Sequence, residues 1–509
     1  FNNIMPGNYI INVEVPSDII PYSATTTVTV NQTTSLSIEV GPEPLVSNPV
    51  NINLLLESSY AKLKDEAIFD ATGCSRYWGD VGADILYDNR SGSSSNLEID
   101  SYNFNPSNQI ISAAWSAHYN LIGRVNQGLD MLESGEYTSE QPIDENEIRA
   151  EFRFLRAMMY FNLVKLFGNP VIFTTINSDL NNPPLIIQGR EEAYDLIISD
   201  LNYAQTHLKM NTSTTRATKA ASQALLGKVY LQMAGYPLLQ QEKYALALAE
   251  LTKFEGTFAL ESDYSDIFLV DNEDNLKEVI FRIPFDQDGN YGFFWGPVGI
   301  SVPDNYYLVK GFSESFFNNP EEAVSPVSFP LEIEDNRFQQ NVASFSYEND
   351  MQVNEENIED WRPYKFRKPL GEETNFKSES FDLPYLRYAG VLLMIAEAEN
   401  AISGPNAAAY SAFNEVRRRA YGDMNHDLTV GLDQEGFLQA ILDERRRELC
   451  YEGHRKDDLI RTQKLEGVIT EFNVAHPQYA KNFASHKHVW PIPQRELDLI
   501  QGLRQNEGY

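Results

Sequence analysis

From about residue 52 onwards, apolar residues recur at the spacing of α-helices. Within 149–167 they step by 3, 4, 4 and 3 positions and therefore share one helix face. The residues on that face are Phe152, Leu155, Met159, Leu163 and Leu166. A second face of the same kind is made by Tyr194, Ile197, Leu201, Ala204 and Leu208. This spacing predicts a mainly α fold built from amphipathic helices.

Small and aromatic residues in the later helices follow the pattern of tetratricopeptide-type helical hairpins. Residues 226–230, Leu-Gly-Lys-Val-Tyr, precede a segment that carries Tyr244 and Ala247. Residues 389–401 and 407–419 form another predicted pair, and a further hairpin is predicted to begin at Phe437. About four hairpins give each helix a neighbour against which to bury its apolar face. We expect a tetratricopeptide-type helical scaffold with long loop-rich insertions.

The first 43 residues have a different pattern, in which apolar residues alternate with polar ones. Three short strands are predicted near 9–15, 28–30 and 36–40, and we interpret residues 1–43 as a partial immunoglobulin-like β-sandwich. Residues 44–50 contain two prolines and are predicted to form a stiff linker. The helical domain is then expected at 51–509, with a loop-rich insertion at about 260–380.

Composition excludes several classes of protein. Lysines and arginines number 40 against 73 acidic residues, so the net charge is -33, and a field of that sign repels nucleic acids and anionic lipid. Neutral ligands are favoured, although a local group of arginines can override the field at contact distance. No run of 18 or more apolar residues occurs. Cys74 and Cys450 are expected to be buried free thiols, with a single disulfide as the alternative.

Common catalytic signatures are missing from the sequence, including the G-x-S-x-G, H-E-x-x-H and phosphate-loop motifs. We therefore expect a binding protein that needs no cofactor. His486 and His488 could share a metal on one side of a strand, but the sequence suggests no third ligand. Asp271, Glu273 and Asp274 could bind a structural calcium ion, although a solvated acidic loop is the preferred interpretation.

Two long irregular regions are the expected location of function, because rigid scaffolds commonly carry binding residues on loops. They lie at 73–108 and at about 260–380, where glycine, proline and aromatic residues accumulate. Trp78 and Trp295 each lie next to glycine or within two residues of it. An indole face can stack on the apolar face of a sugar ring while polar neighbours bind its hydroxyls. These two tryptophans are candidates for a carbohydrate platform.

The densest run of charge lies at 443–461 and is interpreted as structural. Its opposite charges stand three residues apart, as in Glu444 with Arg447 and in Asp458 with both Arg455 and Arg461. Such pairs are expected to neutralise each other along a helix face. Gly453 is expected to cap the first helix.

The same run resembles the E-R-x-x-E-L-x-x-E-G-x-R-x-x-D-L-x-R motif of the SusD/RagB family of outer-membrane nutrient-binding lipoproteins. Supporting resemblances are the segments at 149–168 and 217–231 and the Trp-Pro-Ile-Pro at 490–493. From about residue 50 to its end, the chain is similar to this family. The resemblance implies that the charged motif belongs to the scaffold and not to the binding site.

The resemblance further implies a lipid-anchored protein on the outer surface of the Bacteroidetes outer membrane. It would capture an oligo- or polysaccharide without turnover and deliver it to a SusC-like TonB-dependent transporter. The lipid anchor is expected upstream of Phe1. The binding positions that the resemblance implies are Arg76, Trp78, Asp80, Tyr291, Trp295, Trp361 and Arg362. A peptide-binding protein of the same family is the alternative, followed by a glycoside hydrolase.

Overall fold

A computed structural model describes most of the chain from residue 50 onwards. The residues described in full are 50–65, 67–69, 79–88, 94–176, 189–210, 213–253, 256–268, 277–285, 307–317, 325–348, 351–366 and 382–509. For 8–14, 23–29 and 306 only the backbone is described.

Helices dominate the described residues, as the apolar spacing predicts. The first group comprises Ile52–Ala61 (α1), Ser94–Asp100 (α2), Gln109–Ser134 (α3), Glu145–Phe167 (α4), Arg190–His207 (α5), Lys219–Ala234 (α6) and Lys243–Leu251 (α7). Two short helices follow, Lys310–Glu314 (α8) and Phe338–Asn341 (α9). The last group comprises Tyr388–Ser403 (α10), Ala407–Tyr421 (α11), Gln434–Glu448 (α12), Arg455–Arg461 (α13), Leu465–Ala475 (α14) and Gln494–Leu499 (α15). Within the described ranges, no helix is long and apolar enough to cross a bilayer.

The strands are short and form antiparallel pairs. They are Asn8–Glu14 (β1), Ser23–Thr29 (β2), Leu86–Asp88 (β3), Val279–Ile283 (β4), Tyr306–Leu308 (β5), Val342–Ala343 (β6), Phe345–Glu348 (β7), Met351–Asn354 (β8), Arg362–Pro363 (β9) and Leu383–Arg387 (β10). The pairs are β1 with β2, β3 with β5, β4 with β10, β6 with β9, and β7 with β8. Two of the three strands predicted at the N-terminus are therefore present, while the third, near 36–40, lies outside the described residues. The sandwich and linker boundaries stay predictions.

Local sequence explains where the long helices begin and end. The Asp144 side chain accepts hydrogen bonds from the backbone N–H groups of Asn146 and Glu147 and so caps α4. Gly168 ends the same helix at a φ of 74°, a conformation that glycine adopts without strain. Asn108 caps α3 in the same way as Asp144 caps α4.

Each long helix packs against the next one in sequence from α3 to α7, and α7 then packs against α10. Glycines allow two of these contacts to be close. A Cβ atom at Gly128 would lie 2.4 Å from the ring of Phe152, and one at Gly227 would lie 2.6 Å from the side chain of Leu251. The small residues that predicted helical hairpins therefore occupy the helix interfaces.

The predicted insertion leaves the scaffold after α7 and returns at α10. Because α7 and α10 contact each other, the helical stack continues across the break. The paired strands β4 and β10 lie at the two ends of this excursion, and every residue in both strands is buried. The loop-rich region is thus joined to the scaffold through a buried two-stranded sheet.

The charged run at 443–461 is buried, not a solvated helix face. Glu444 and Glu448 are both 0% exposed. Glu448 accepts hydrogen bonds from Arg337 at 2.9 Å and Arg387 at 2.5 Å, and also from Arg419. Burial alone would raise the pKa of Glu448, but the three guanidinium groups together hold it well below its ordinary value. The motif therefore forms the centre of a buried ion network.

Two of the three local pairs predicted in this run are present, because Arg447 contacts Glu444 at 2.8 Å and Arg461 contacts Asp458 at 2.7 Å. The pairing of Arg455 with Asp458 was wrong, since Arg455 binds an aspartate far away in sequence. The predicted cap at Gly453 was also wrong. Helix α12 ends at Glu448, and Gly453 lies in the turn that follows, with a φ of 79°.

Replacing Arg387 by Met should destabilise the protein by about 3–5 kcal/mol, because buried carboxylates would lose a cationic partner. Arg387 binds Glu452 and Glu278, each at 2.8 Å, as well as Glu448. Arg418→Met is the matched control, since Arg418 pairs with Asp427 at the surface, and its cost should be no more than about 1 kcal/mol. Urea unfolding measures the free energy of unfolding of both variants. Equal losses in the two variants would contradict a central role for the buried network.

Candidate functional site

Residues 79–88, which directly follow the candidate Trp78, are held against the second half of the charged motif. The backbones of Gly79 and Gly453 touch, and a Cβ atom at Gly79 would lie 2.1 Å from the Cα of Gly453. The backbone N–H of Lys456 donates to the carbonyl of Gly79 at 2.7 Å. The N–H of Gly453 donates to Asp80 Oδ2 at 2.9 Å. We call residues 79–84 together with 453–456 the clip.

Asp84 adds charge to the clip. Arg455 binds both of its carboxylate oxygens, with Nε to Oδ1 at 2.7 Å and Nη2 to Oδ2 at 2.7 Å. Arg446 donates to Oδ2 at 3.0 Å. Although burial opposes ionisation, these two guanidinium groups hold the pKa of Asp84 well below its ordinary value. This bidentate contact fixes both position and orientation of the segment.

Asp80 lies in the opposite electrostatic environment. It is 0% exposed, and no partner in the structure reaches its Oδ1. Burial raises the pKa of this carboxyl from 3.8 to about 8, and the hydrogen bond from Gly453 offsets only part of the rise. Asp80 is therefore protonated at neutral pH. Its side chain points into the clip, where it supports the segment and has no exposed atom to offer to a ligand.

Strands β3 and β5 bring the two loop-rich regions together. Asp88 pairs with Tyr306, and Tyr87 pairs with Tyr307. Since the strands are antiparallel, the last residue of β3, Asp88, and the first residue of β5, Tyr306, lie at the same end of the pair. The candidates Tyr291 and Trp295 precede β5 in sequence and lie outside the described residues. The early and late regions predicted to carry function thus meet at this strand pair.

Aromatic side chains cluster beside the pair. Tyr87 stacks on Tyr307 with ring centroids 5.8 Å apart. The ring of Tyr87 also lies 4.9 Å from Tyr479, 5.3 Å from His476 and 5.8 Å from Phe472. Tyr307 and Tyr479 are half-buried, whereas the other three are buried. We call these five residues the aromatic cluster.

Arg362, which belongs to the predicted insertion, contacts the aromatic cluster. Its guanidinium carbon lies 3.1 Å from the centroid of the Tyr307 ring. Strand β9, which begins at Arg362, is held next to β5 because the N–H of Leu308 donates to the carbonyl of Trp361 at 3.1 Å. Arg362 is 5% exposed. The structure thus places one sequence candidate, Arg362, on Tyr307, whose ring stacks in turn on Tyr87 of the early loop-rich region.

Trp361, the neighbour of Arg362, lies in the core. It is 0% exposed, its indole N–H donates to the carbonyl of Glu355 at 2.9 Å, and its ring stacks on Phe317. With no ring face exposed, Trp361 supports β9 and is not placed to stack on a sugar. Its assignment as a ligand contact is therefore revised, as is that of Asp80.

The remaining sequence candidates fall outside the described residues. They are Arg76, Trp78, Tyr291 and Trp295, and their roles stay predictions. The calcium candidates Asp271, Glu273 and Asp274 and the second cysteine, Cys74, also lie outside. The described ranges contain no group of three or more side chains suited to hold a metal. Cys450 is a buried free thiol.

The histidine pair does not share one side of a strand, because residues 485–488 form a 3-10 turn. The ring of His486 contacts Tyr509, and the ring of His488 contacts Tyr236. The hypothesis that His486 and His488 share a metal from one side of a strand was therefore wrong, whereas an ordinary pair of histidines was the preferred interpretation.

Sequence reasoning missed most of the aromatic cluster. Tyr307 stands in an aromatic-rich stretch and could have been found there. Tyr87 looks like part of an ordinary buried strand, and His476 and Tyr479 follow the amphipathic helix α14 without any local signal. Their proximity depends on contacts between segments that are far apart in sequence.

The contributions of Asp80 and Asp84, the two aspartates of the clip, to folding stability should depend on pH in opposite directions. Unfolded Asp80 ionises near pH 3.8, but the folded carboxyl keeps its proton until about pH 8, so its contribution to stability is lost as pH rises across that window. Asp80→Asn should therefore gain stability relative to the wild type from pH 4 to pH 8. Asp84→Asn should be less stable at pH 7, and its deficit should shrink on acidification, because the pKa of Asp84 is lowered.

Urea midpoints at intervals from about pH 2 to pH 8 measure both effects, because the deficit of Asp84→Asn shrinks only as pH falls below the ordinary pKa of 3.8. If the two variants shifted in the same direction with pH, the assigned charge states of the clip would be wrong.

Comparisons with known proteins bear on the whole chain. A model of the SusD family matches residues 318–509, and a SusD-like model described as starch-binding and associating with the outer membrane matches 43–231. The SusD-like protein P25 of Formosa agariphila is 26% identical over 530 residues, covering 92% of this chain and 94% of the relative. The starch-binding protein SusD of Bacteroides thetaiotaomicron is 25% identical, covering 71% of this chain and 72% of the relative.

Solved structures agree with these matches. The crystal structure of a SusD homologue from Bacteroides thetaiotaomicron superposes with a TM-score of 0.75 at 25% identity, covering 91% of this chain and 98% of the other. A SusD superfamily protein from Parabacteroides distasonis has the same fold, with a TM-score of 0.73. The two family models, the relatives and the fold together support the SusD-like family for this chain, and proteins of that family are non-catalytic glycan-binding proteins.

Proposed function

We propose that this protein captures an oligo- or polysaccharide at the cell surface and delivers it to a TonB-dependent outer-membrane transporter of the SusC type. A lipid anchor upstream of residue 1 would hold it on the outward face of the outer membrane. The protein would bind and release the glycan without cleaving it. The family model for 43–231, which is described as starch-binding, supports a glycan as ligand.

The meeting of the two loop-rich regions at β3 and β5 carries this proposal. Sugar rings bind where an aromatic face is paired with hydrogen-bonding groups. The half-buried ring of Tyr479 would supply such a face, and the Arg362 guanidinium, which stacks on Tyr307 in the same cluster, would supply hydrogen-bonding groups. Trp78 and Trp295 would extend the surface, since Trp78 directly precedes the clip and Trp295 precedes β5 in the sequence.

Rigid support at the base of the loops favours capture. A loop whose ends are fixed loses less conformational freedom when a ligand orders it, so more of the interaction energy appears as affinity. Asp84 with Arg455 and Arg446 fixes the early loop, while the pairing of β3 with β5 fixes the late one. The fold would thus present a surface that changes little between its empty and loaded states.

The first test is an affinity-gel screen of the purified protein against neutral and acidic polysaccharides. Trp78→Ala and Trp295→Ala should each weaken retardation by the recognised polymer at least about tenfold, because stacking on an aromatic ring is lost. Their melting temperatures should stay close to that of the wild type.

Trp361→Phe is the matched control. Since Trp361 is buried, its replacement should lower the melting temperature while retardation by the polymer persists. Failure of every polysaccharide to retard the wild type would contradict glycan capture. In that case, binding of a peptide library that is indifferent to the two tryptophan variants would identify the protein as a peptide-binding member of the family.

A further inference from the structure

Arg362 differs from the other buried arginines in the described part of the chain. Each of the others has a carboxylate within salt-bridge distance, whereas Arg362 has none. The paired arginines are Arg156, Arg282, Arg337, Arg387, Arg445, Arg455 and Arg461. The Nε and Nη1 atoms of Arg362 are buried and have no hydrogen-bond partner.

This arrangement is costly for the protein alone. A guanidinium group withdrawn from water without a partner loses several kcal/mol of hydration, on the order of the penalty for other unpaired buried ions. The contact with the ring of Tyr307 returns only about 0.5–2 kcal/mol. Because stacking uses the face of the guanidinium plane, the Tyr307 ring leaves the N–H groups in that plane unoccupied, although Nε and Nη1 are covered by neighbouring residues.

A second unsatisfied group lies in the same cluster. His476 is 3% exposed, and its Nε2 has no hydrogen-bond partner. Its ring lies 5.3 Å from that of Tyr87, which in turn stacks on Tyr307 beneath Arg362. Unsatisfied buried atoms also occur in scaffold residues such as Trp115 and Arg445, so the distinguishing feature here is that two of them lie in one aromatic cluster at the proposed binding surface.

The nearby charges favour an anion as the missing partner. Glu359 is exposed and acts electrostatically on Tyr87 and on His476, but it does not come within salt-bridge distance of Arg362. The planar fork of an arginine matches the two oxygens of a carboxylate or the oxygens of a sulfate. The net charge of -33 opposes an anion at long range. This field is screened beyond about 8 Å at physiological salt, so the direct contact between the anion and Arg362 determines whether the anion binds.

We infer that the aromatic cluster recognises an acidic glycan, in which a carboxylate or sulfate on a sugar ring pairs with Arg362. This inference rests on the proposed function and narrows its ligand from polysaccharides in general to those that carry negative charge. It replaces the expectation of a neutral ligand that net charge alone suggested.

The test uses two pairs of polymers that differ only in charge. One pair is polygalacturonate and its carboxyl-reduced galactan, and the other is a sulfated galactan and its desulfated form. The wild-type protein should be retarded by the charged member of one pair at least tenfold more strongly than by its neutral form. The pair that shows the difference distinguishes carboxylate from sulfate.

Variants then assign the effect to Arg362. Arg362→Gln should weaken binding to the charged polymer at least tenfold, and Arg362→Lys should retain part of it. Arg418→Gln is the control, because it removes one positive charge from a surface pair elsewhere. Glu359→Gln should bind the charged polymer at least as tightly as the wild type.

Thermal unfolding gives an independent readout. Arg362→Met should melt at or above the temperature of the wild type, because it removes an unpaired buried charge. A lower melting temperature would mean that the fold itself uses the guanidinium, and would overturn the inference. Equal retardation by charged and neutral polymers would also overturn it while leaving glycan capture intact, whereas no retardation by any polymer would overturn both.

Discussion

The ion network around Glu448 and Glu452 is the interaction on which the rest of the molecule depends. Arg387 binds both carboxylates, and Lys365 binds Glu452 at 2.6 Å. Arg387 ends the strand that closes the insertion, while Lys365 lies within it, so one cluster of opposite charges joins the insertion to the helical scaffold. Such a network costs free energy to desolvate, and its value lies in fixing one arrangement of distant segments. That arrangement sets where the late loop region enters the binding face.

The same motif controls the early loop region by a different contact. Four residues beyond Leu449, the chain reaches Gly453, where only glycines on both sides permit the backbones to touch. Arg455 then binds Asp84 across a sequence separation of 371 residues. One contiguous motif therefore fixes both regions that carry the candidate ligand contacts, although none of its residues lies on the proposed binding surface. This is why a scaffold motif can identify a family whose ligands differ.

Sequence periodicity was enough to predict the helical scaffold, since an apolar face recurring every 3 or 4 residues has few alternatives. A pair three residues apart was predicted correctly where the local contact coexists with distant ones, as for Glu444, which binds Arg447 together with Arg337 and Arg417. Arg455 was misassigned because Asp84 offers a better bidentate geometry that only the fold brings within reach. The position of His476 in the aromatic cluster has the same origin. Contacts between segments that are far apart in sequence cannot be predicted from the local spacing of residues.

The neighbouring residues Trp361 and Arg362 show how far the candidate site can be predicted from sequence. Both stand in an aromatic-rich loop region, and composition gives no reason to separate them. The structure places the indole in the core with its N–H satisfied, and leaves the adjacent guanidinium on Tyr307 without an anion. The satisfied indole identifies Trp361 as part of the core that supports β9. Arg362 combines an unpaired guanidinium with a place in the aromatic cluster, which is why we propose it as the ligand contact.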